Sequence, residues 1–280
     1  MMKQMKKYVL DLAVVENICL HPVCYLLKLT ADERLPEMIP GQFVEVRVDD
    51  SPTTFLRRPI SIHYFDKQNN ELWLLIQVAG AGTHRLSKVT RGETLNVILP
   101  LGNGFSMPQA KEATPLLSGN AFAVKSNPED MRILLIGGGI GVAPLLFLAD
   151  TLQSLHYQPE FLLGARTCDF LWQFETFDAM GVVYVTTEDG SLGKKGFVTF
   201  HPVLQSNRYD KIYACGPQPM MEAVAKYAKT THIDCEVSLE NRMACGIGAC
   251  LCCVERTVNG HVCVCTEGPV FNINQLTWQT

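Results

Sequence analysis

Seven of the chain's eleven cysteines fall between positions 235 and 265, and this crowding restricts what the C-terminal part can become more than any other feature of the sequence. Thiols so placed either cross-link or share a metal. The remaining four, Cys19, Cys24, Cys168 and Cys215, are scattered. The first residues carry lysines at 3, 6 and 7, but the apolar stretch behind them is broken by Asp11 and Glu16, so the unbroken apolar run of a secretory signal is missing. The expected setting is therefore the reducing cytoplasm, where clustered thiols point to a metal and away from a disulfide framework.

The spacing narrows the metal. Cys245-Gly-Ile-Gly-Ala-Cys250-Leu-Cys252-Cys253 is a C-x4-C-x2-C loop, the pattern of plant-type [2Fe-2S] sites, which take a fourth thiolate from further along the chain. Gly246, Gly248 and Ala249 suit it, because small residues let the main chain approach inorganic sulfur and donate N–H groups to it. A four-cysteine zinc site would pair two C-x2-C knuckles and only one is present, so the spacing favours iron–sulfur. Cys252 fits neither pattern as a ligand. For the fourth ligand, Cys263 and Cys265 stand two apart in HVCVCTEG, on one face of an expected strand, and periodicity does not choose between them.

At 280 residues, the chain is long enough for two compact domains and a smaller third piece. Residues 1–104 read as short strands at about 8–19, 24–30, 43–48, 58–63, 72–79 and 94–99, punctuated by turns such as Pro40-Gly41 and Asn69-Asn70, with a brief helix near 83–88. That spacing predicts an antiparallel β-barrel. Residues 105–131 carry three prolines and little periodicity and read as a linker or inserted loop. From 132 to 232 apolar strands alternate with helical segments: RILLIG, a glycine turn and helix, EFLLGA, VVYVTT, KIYACG and the helical PQPMMEAVAKYAK. Such alternation predicts a doubly wound parallel sheet. Residues 233–280 form the expected cysteine domain.

Two stretches suit phosphorylated cofactors. Gly137-Gly138-Gly139-Ile140-Gly141 follows a buried strand and opens a helix, where backbone N–H groups receive a pyrophosphate; the pattern is G-x-G-x-x-P, with no acidic ribose ligand evident about 20 residues on. In the first domain, Arg57-Arg58-Pro59-Ile60-Ser61 supplies two guanidiniums and a hydroxyl, and Gly80-Ala81-Gly82-Thr83 precedes a short helix.

Taken in order, RRPIS, GAGT, GGGIGVAPL, CGPQPMM and the cysteine loop resemble the electron transfer subunit of dihydroorotate dehydrogenase B, a family within the ferredoxin-NADP reductase-like flavoproteins. The likeness spans nearly the whole chain, with only 105–131 looking like an extra segment. It implies an FAD-binding barrel in which Arg58, Pro59, Ile60 and Ser61 lie against the flavin and its phosphates, with Leu75, Ile76, Gln77, Gly82 and Thr83 completing the site. Gln77 is a departure, since the family often has arginine at that place. The resemblance puts NAD on Gly137 to Gly141, with Cys215, Gly216 and Pro217 near the nicotinamide. It also aligns Cys265-Thr-Glu-Gly-Pro-Val-Phe with the family's last cysteine, making Cys245, Cys250, Cys253 and Cys265 the ligands.

The family's role is electron transfer in pyrimidine biosynthesis, from dihydroorotate, oxidised at FMN in a catalytic partner subunit, through [2Fe-2S] and FAD to NAD, in a heterotetramer of two subunits of each kind. Flavin is needed because NAD takes two electrons as hydride and the cluster carries one. A diaphorase-type subunit of a sulfhydrogenase, a ferredoxin:NADP oxidoreductase or a sulfite reductase would share the layout; a zinc-stabilised nucleotide sensor is the non-catalytic alternative. The net charge of -4 gives no basic face for nucleic acid, and no run of 18 apolar residues predicts a membrane span. The seven histidines are dispersed.

Overall fold

The computed structural model describes residues 6–108, 127–206 and 209–278. The first part contains β1 (Tyr8–His21), β2 (Cys24–Thr30), β3 (Phe43–Val46), β4 (Arg58–Ser61), β5 (Tyr64–Asp66), β6 (Glu71–Gln77), the short helix α1 (Ala81–Leu86) and β7 (Thr94–Leu101). All pairings are antiparallel, in the order β4-β3-β7-β1-β2-β6-β5, and the sheet curls until β4 touches β6. Alternation decides what fills it. Val44, Val46, Leu72, Leu74 and Ile76 point inward to one apolar core, so the residues between them face outward. Glu45 and Leu75 are two of these. Strand β5 was not among the expected strands; at three residues it is too short for a period to show in the sequence.

The second sheet is built from β8 (Ile133–Gly138), α2 (Leu145–Ser154), β9 (Glu160–Ala165), α3 (Phe174–Met180), β10 (Val183–Thr187), β11 (Lys194–Lys195), α4 (Val203–Ser206), β12 (Lys211–Cys215), α5 (Gln218–Thr231) and β13 (Asp234–Ser238). Its strand runs are continuously apolar because both faces are covered. Leu134, Ile136, Ile212 and Ala214 pack under α5 through Met221, Val224, Ala225 and Ala228. Ile133, Leu135 and Tyr213 face the other way, onto Leu145, Leu148 and Leu152 of α2. The sheet is thus doubly wound, as the alternation predicts.

Beyond β13 come the cysteine loop, the hairpin β14 (Val254–Thr257) and β15 (Gly260–Cys263), a helical turn α6 (Val264–Glu267), and β16 (Val270–Asn272). The sheet order is β11-β10-β9-β8-β12-β13-β16, with β16 antiparallel to β13. The cysteine segment is therefore strung between two adjacent strands of the parallel sheet, and the division expected at 233 falls at the start of one of them. The strand expected to carry both Cys263 and Cys265 ends at Cys263, where the backbone turns helical, yet both thiols reach Cys253.

Three seams join the parts. His63, fully buried after β4, shares a 2.7 Å hydrogen bond between Nδ1 and the carbonyl of Ala143, and its own carbonyl accepts from the Phe147 N–H. A carbonyl only accepts, so Nδ1 carries the proton and Nε2 is left as a buried acceptor without a partner. Ser106, from the segment after β7, donates its N–H (2.9 Å) and its hydroxyl to Glu236. Lys211 reaches Asp234 at 2.7 Å and Glu236 at 3.1 Å in the same network. In the third seam, Asn103 donates to the carbonyls of Thr266 and Glu267. Most of the inserted segment, 109–126, lies outside the described residues. Among the described residues no helix is long and apolar enough to cross a membrane.

Candidate functional site

At the open end of the parallel sheet the strand order reverses between β8 and β12, the position at which doubly wound sheets leave a crevice for ligands. Gly137 pairs in register with Cys215, so the glycine turn and the segment 215–217 meet there. Their contact is close. A Cβ at Gly141 would lie 2.4 Å from the Cys215 carbonyl oxygen, and one at Gly138 would lie 2.5 Å from Met220 Sδ and 3.0 Å from Pro217. Gly139 turns through φ +54°, a conformation that favours glycine. Residues 139–142 form a single 3₁₀ turn, and Pro144 caps α2. Main-chain N–H groups and the start of a helix are thus presented without covering side chains, as a phosphate requires.

The buried Cys215 thiol points toward the Glu240 carboxylate, with 3.9 Å between Sγ and Oε1. Burial pushes the thiol up, Glu240 adds to the effect, and the Ser238 hydroxyl and Gly216 N–H oppose it. Glu240 is exposed as a whole residue, but its carboxyl end turns in beside Cys215, where desolvation raises it. Sequence reasoning missed Glu240. Its signal was available, because a carboxylate two residues past a parallel strand next to the switch point belongs to the crevice.

On the barrel, β4 carries Arg58 to Ser61 and α1 follows β6. A Cβ at Gly82 would lie 2.5 Å from Arg58 Nε, so Gly82 and the Arg58 guanidinium are packed together although 24 residues apart in sequence. Thr83 Oγ1 accepts from the N–H groups of Ala79 (2.9 Å) and Gly80 (3.2 Å), and its carbonyl accepts from the Tyr25 hydroxyl. Leu75 and Ile76 are buried on opposite faces of β6, and Gln77 ends that strand beside Cys24. Arg57 parts from Arg58: it donates to the carbonyls of Glu45 and Asn96 and to Asn96 Oδ1, which fixes it to the barrel wall.

The cysteine loop has no regular secondary structure between β13 and β14, and its shape is set by glycine and by sulfur. Gly246 and Gly248 take φ values of +65° and +84°, in the left-handed region that a side chain would strain. The Cys250 N–H lies 3.4 Å from Cys245 Sγ, the Gly248 N–H 3.1 Å from Cys265 Sγ, and the Cys265 N–H 3.4 Å from Cys253 Sγ. Cys245, Cys250, Cys253 and Cys265 are therefore tied into one constellation, in which Cys253 and Cys265 are fully or almost fully buried and Cys250 is exposed. Burial works against ionising Cys245, yet N–H groups from Ile247, Cys250 and Ala249 converge on its sulfur and bring it down to about 6. At Cys265 the shift is opposite, burial and Cys253 pushing the thiol up to about 12 against the Gly248 N–H; the stabilised thiolate at Cys245 and the main-chain N–H donors at both sulfurs are the donor chemistry that fits an iron–sulfur cluster. Among the described residues no three His, Cys, Asp or Glu side chains are grouped closely enough to hold a metal ion as they stand. Cys263, half-buried, interacts with Cys253, Cys245 and Cys250 and so stands in the same group of thiols, while Cys252 is exposed.

The barrel and the doubly wound sheet joined to it define the ferredoxin reductase-like class. The structure of an NADH-dependent reduced ferredoxin-NADP oxidoreductase, described for flavin-based electron bifurcation, superposes with a TM-score of 0.79 at 26% identity over 95% of this chain and 90% of that one. A ferredoxin reductase of carbazole 1,9a-dioxygenase shares the fold at a TM-score of 0.63 and 18% identity, over 82% of this chain and 68% of that one. Residues 240–277 match the iron-sulfur cluster binding domain of dihydroorotate dehydrogenase B. The dihydroorotate dehydrogenase B (NAD(+)) electron transfer subunit of Lysinibacillus sphaericus is 40% identical over 85% of this chain and 87% of its own length; that of Fusobacterium nucleatum is 35% identical over 93% and 95%. The chain belongs to the family of dihydroorotate dehydrogenase B electron transfer subunits.

Proposed function

We propose that this protein is the electron transfer subunit of an NAD-linked dihydroorotate dehydrogenase, carrying electrons from a separate catalytic subunit to NAD. The observation that carries the reading is the cysteine constellation strung between β13 and β16, which belong to the same sheet that presents the glycine turn. The proposed one-electron centre and nucleotide crevice would thereby share one sheet. When bound, FAD and [2Fe-2S] supply the exchange between one-electron and two-electron transfer.

The chain's own residues bind and orient. Cys245, Cys250, Cys253 and Cys265 would hold the cluster, and the N–H groups of Gly248, Cys250 and Cys265 would offset its negative charge. Arg58, Pro59, Ile60 and Ser61, with Gly82, Thr83 and the main chain of Leu75, Ile76 and Gln77, would seat the flavin. Here Gln77 contributes a neutral contact. Gly137, Gly138, Gly139, Ile140 and Gly141 would receive the dinucleotide phosphates, with Cys215, Gly216 and Pro217 against the nicotinamide. The catalytic partner contains FMN, the assembly has two subunits of each kind, and its place is the cytoplasm.

Anaerobically purified protein is expected to show a flavin spectrum and, on reduction, a rhombic EPR signal. Co-purified with its catalytic partner, it is expected to support dihydroorotate-dependent NAD reduction; absence of all three would overturn the reading. The ligand set is tested separately, since Cys265→Ser should abolish the EPR signal and Cys263→Ser should leave it, and the reverse result would exchange the two assignments. The likeness to the NADH-dependent ferredoxin-NADP oxidoreductase supports a second reading, a subunit of that kind of complex. NAD reduction driven by reduced ferredoxin and not by dihydroorotate would favour it.

A further inference from the structure

Glu45 is the one carboxylate on the barrel strands that is wholly buried among the described residues, and neither of its oxygens has a hydrogen-bond partner. Arg57 and Arg58 favour its charge, but the Arg57 guanidinium is hydrogen-bonded to main-chain carbonyls and to Asn96 and not to it, and burial, the larger effect, pushes the carboxyl up to about 7, so that it is ionised above neutral pH. Leaving a carboxylate dry and unpaired costs free energy that an apolar side chain would not.

Its position gives the cost a meaning. In the β3–β4 register Glu45 stands opposite Pro59, in the strand proposed to seat the flavin. Its side chain leaves the outer face of β3 and reaches the cysteine loop: a Cβ at Gly246 would lie 2.5 Å from Glu45 Cγ and 2.9 Å from Oε1. Gly246 adjoins Cys245 and takes φ +65°, so the loop carries a residue without a side chain at the point where this one arrives. The carboxylate thus occupies a dry seam between the flavin strand and the cluster loop, where a charge acts over several ångströms with little screening.

We infer that Glu45 tunes the cluster, the negative charge of its ionised carboxylate beside the Cys245 limb holding the cluster's reduction potential low so that an electron received from the partner passes on to the flavin side. The inference rests on the proposed function and names a residue that acts on it through its field. Net charge around a cluster is one of the levers that set its potential. One electron arrives at the cluster and one leaves; Glu45 exchanges none, and no bond is made or broken.

The test is an EPR-monitored redox titration of the full-length, cofactor-loaded protein at pH 8.5, with the flavin followed by absorbance in the same samples. Wild-type protein with neither signal would remove the functional reading, and this inference with it. With both signals present, Glu45→Gln should raise the reduced-to-oxidised ratio of the cluster about tenfold at a fixed potential, equivalent to about 59 mV for one electron. The flavin should move less, and Glu45→Asp, which keeps the charge, should stay near wild type. An unchanged cluster midpoint in Glu45→Gln overturns the inference. Loss of the cluster from both variants, with flavin content and far-UV circular dichroism retained, would make Glu45 a mere prop for the loop and would overturn it too.

Discussion

Lys211 and Glu45 are both charged, both buried on the strand that carries them and both placed where two parts of the chain meet, yet they are treated in opposite ways. Lys211 is 5% exposed in its side chain and is paired with Asp234 and Glu236, while Ser106 satisfies Glu236 from the other side. Glu45 has no partner for either oxygen. The first arrangement is a joint: it ties the segment after the barrel to the parallel sheet, and every group in it is answered. The second places an unanswered charge beside the cysteine loop, where stability gains nothing and the electrostatics of the loop change. Buried polar groups that are paired explain how the parts stay together, whereas those left unpaired mark where something other than stability is at stake.

The largest effect separating the two is expected on breaking the joint. Lys211→Met leaves Glu236 buried beside Ser106 without its cation and should cost about 3–5 kcal/mol in denaturant unfolding followed by far-UV circular dichroism; a loss below about 1 kcal/mol would show that the pairing is not what holds the seam. His63 is the next in size and resembles Glu45 in having an unpartnered atom. Burial pushes its imidazole down to about 4, and the hydrogen bond to Ala143 opposes this. Its folded value lies below the unfolded one, so the unfolded chain binds the proton more readily. The resulting stability is whole above about pH 6.5 and drains away as the pH falls toward 4, by up to about 3 kcal/mol. Urea midpoints measured across that range should fall more steeply for wild type than for His63→Asn, and parallel curves would place the burden on other groups. The smallest effect is expected at Glu45 itself. Glu45→Met exchanges an unpaired buried carboxylate for an apolar side chain of similar length, and should leave stability within about 1 kcal/mol of wild type or raise it. A loss as large as that of Lys211→Met would mean that the two regions are alike after all.

Much of the candidate site can be read along the chain because its signals are local. The C-x4-C-x2-C spacing, the glycine turn after a buried strand and the switch from period two to alternating strands and helices each need only a few tens of residues. EFLLGA coincides with β9, and the expected glycine turn leads into α2 as observed. The choice between Cys263 and Cys265 was not legible on that basis. The structure adds that β15 stops at Cys263 and a helical turn begins at Val264 before β16 returns beside β13, and that both thiols reach Cys253. Glu240 was partly legible, from its place just past a parallel strand.

By itself the sequence determined the two sheets, one antiparallel and one mainly parallel, and the thiolate spacing, since periodicity, glycine and cysteine act through neighbours on the same strand or loop. Tertiary structure alone decided that the cysteine loop is strung between two strands of the nucleotide sheet, that Gly82 packs on Arg58, and that Glu45 meets Gly246. Those contacts join residues 24 to 201 positions apart. No period along one segment encodes them, because they arise from how two finished surfaces fit, and a buried charge reveals its cost only once the groups around it are in place.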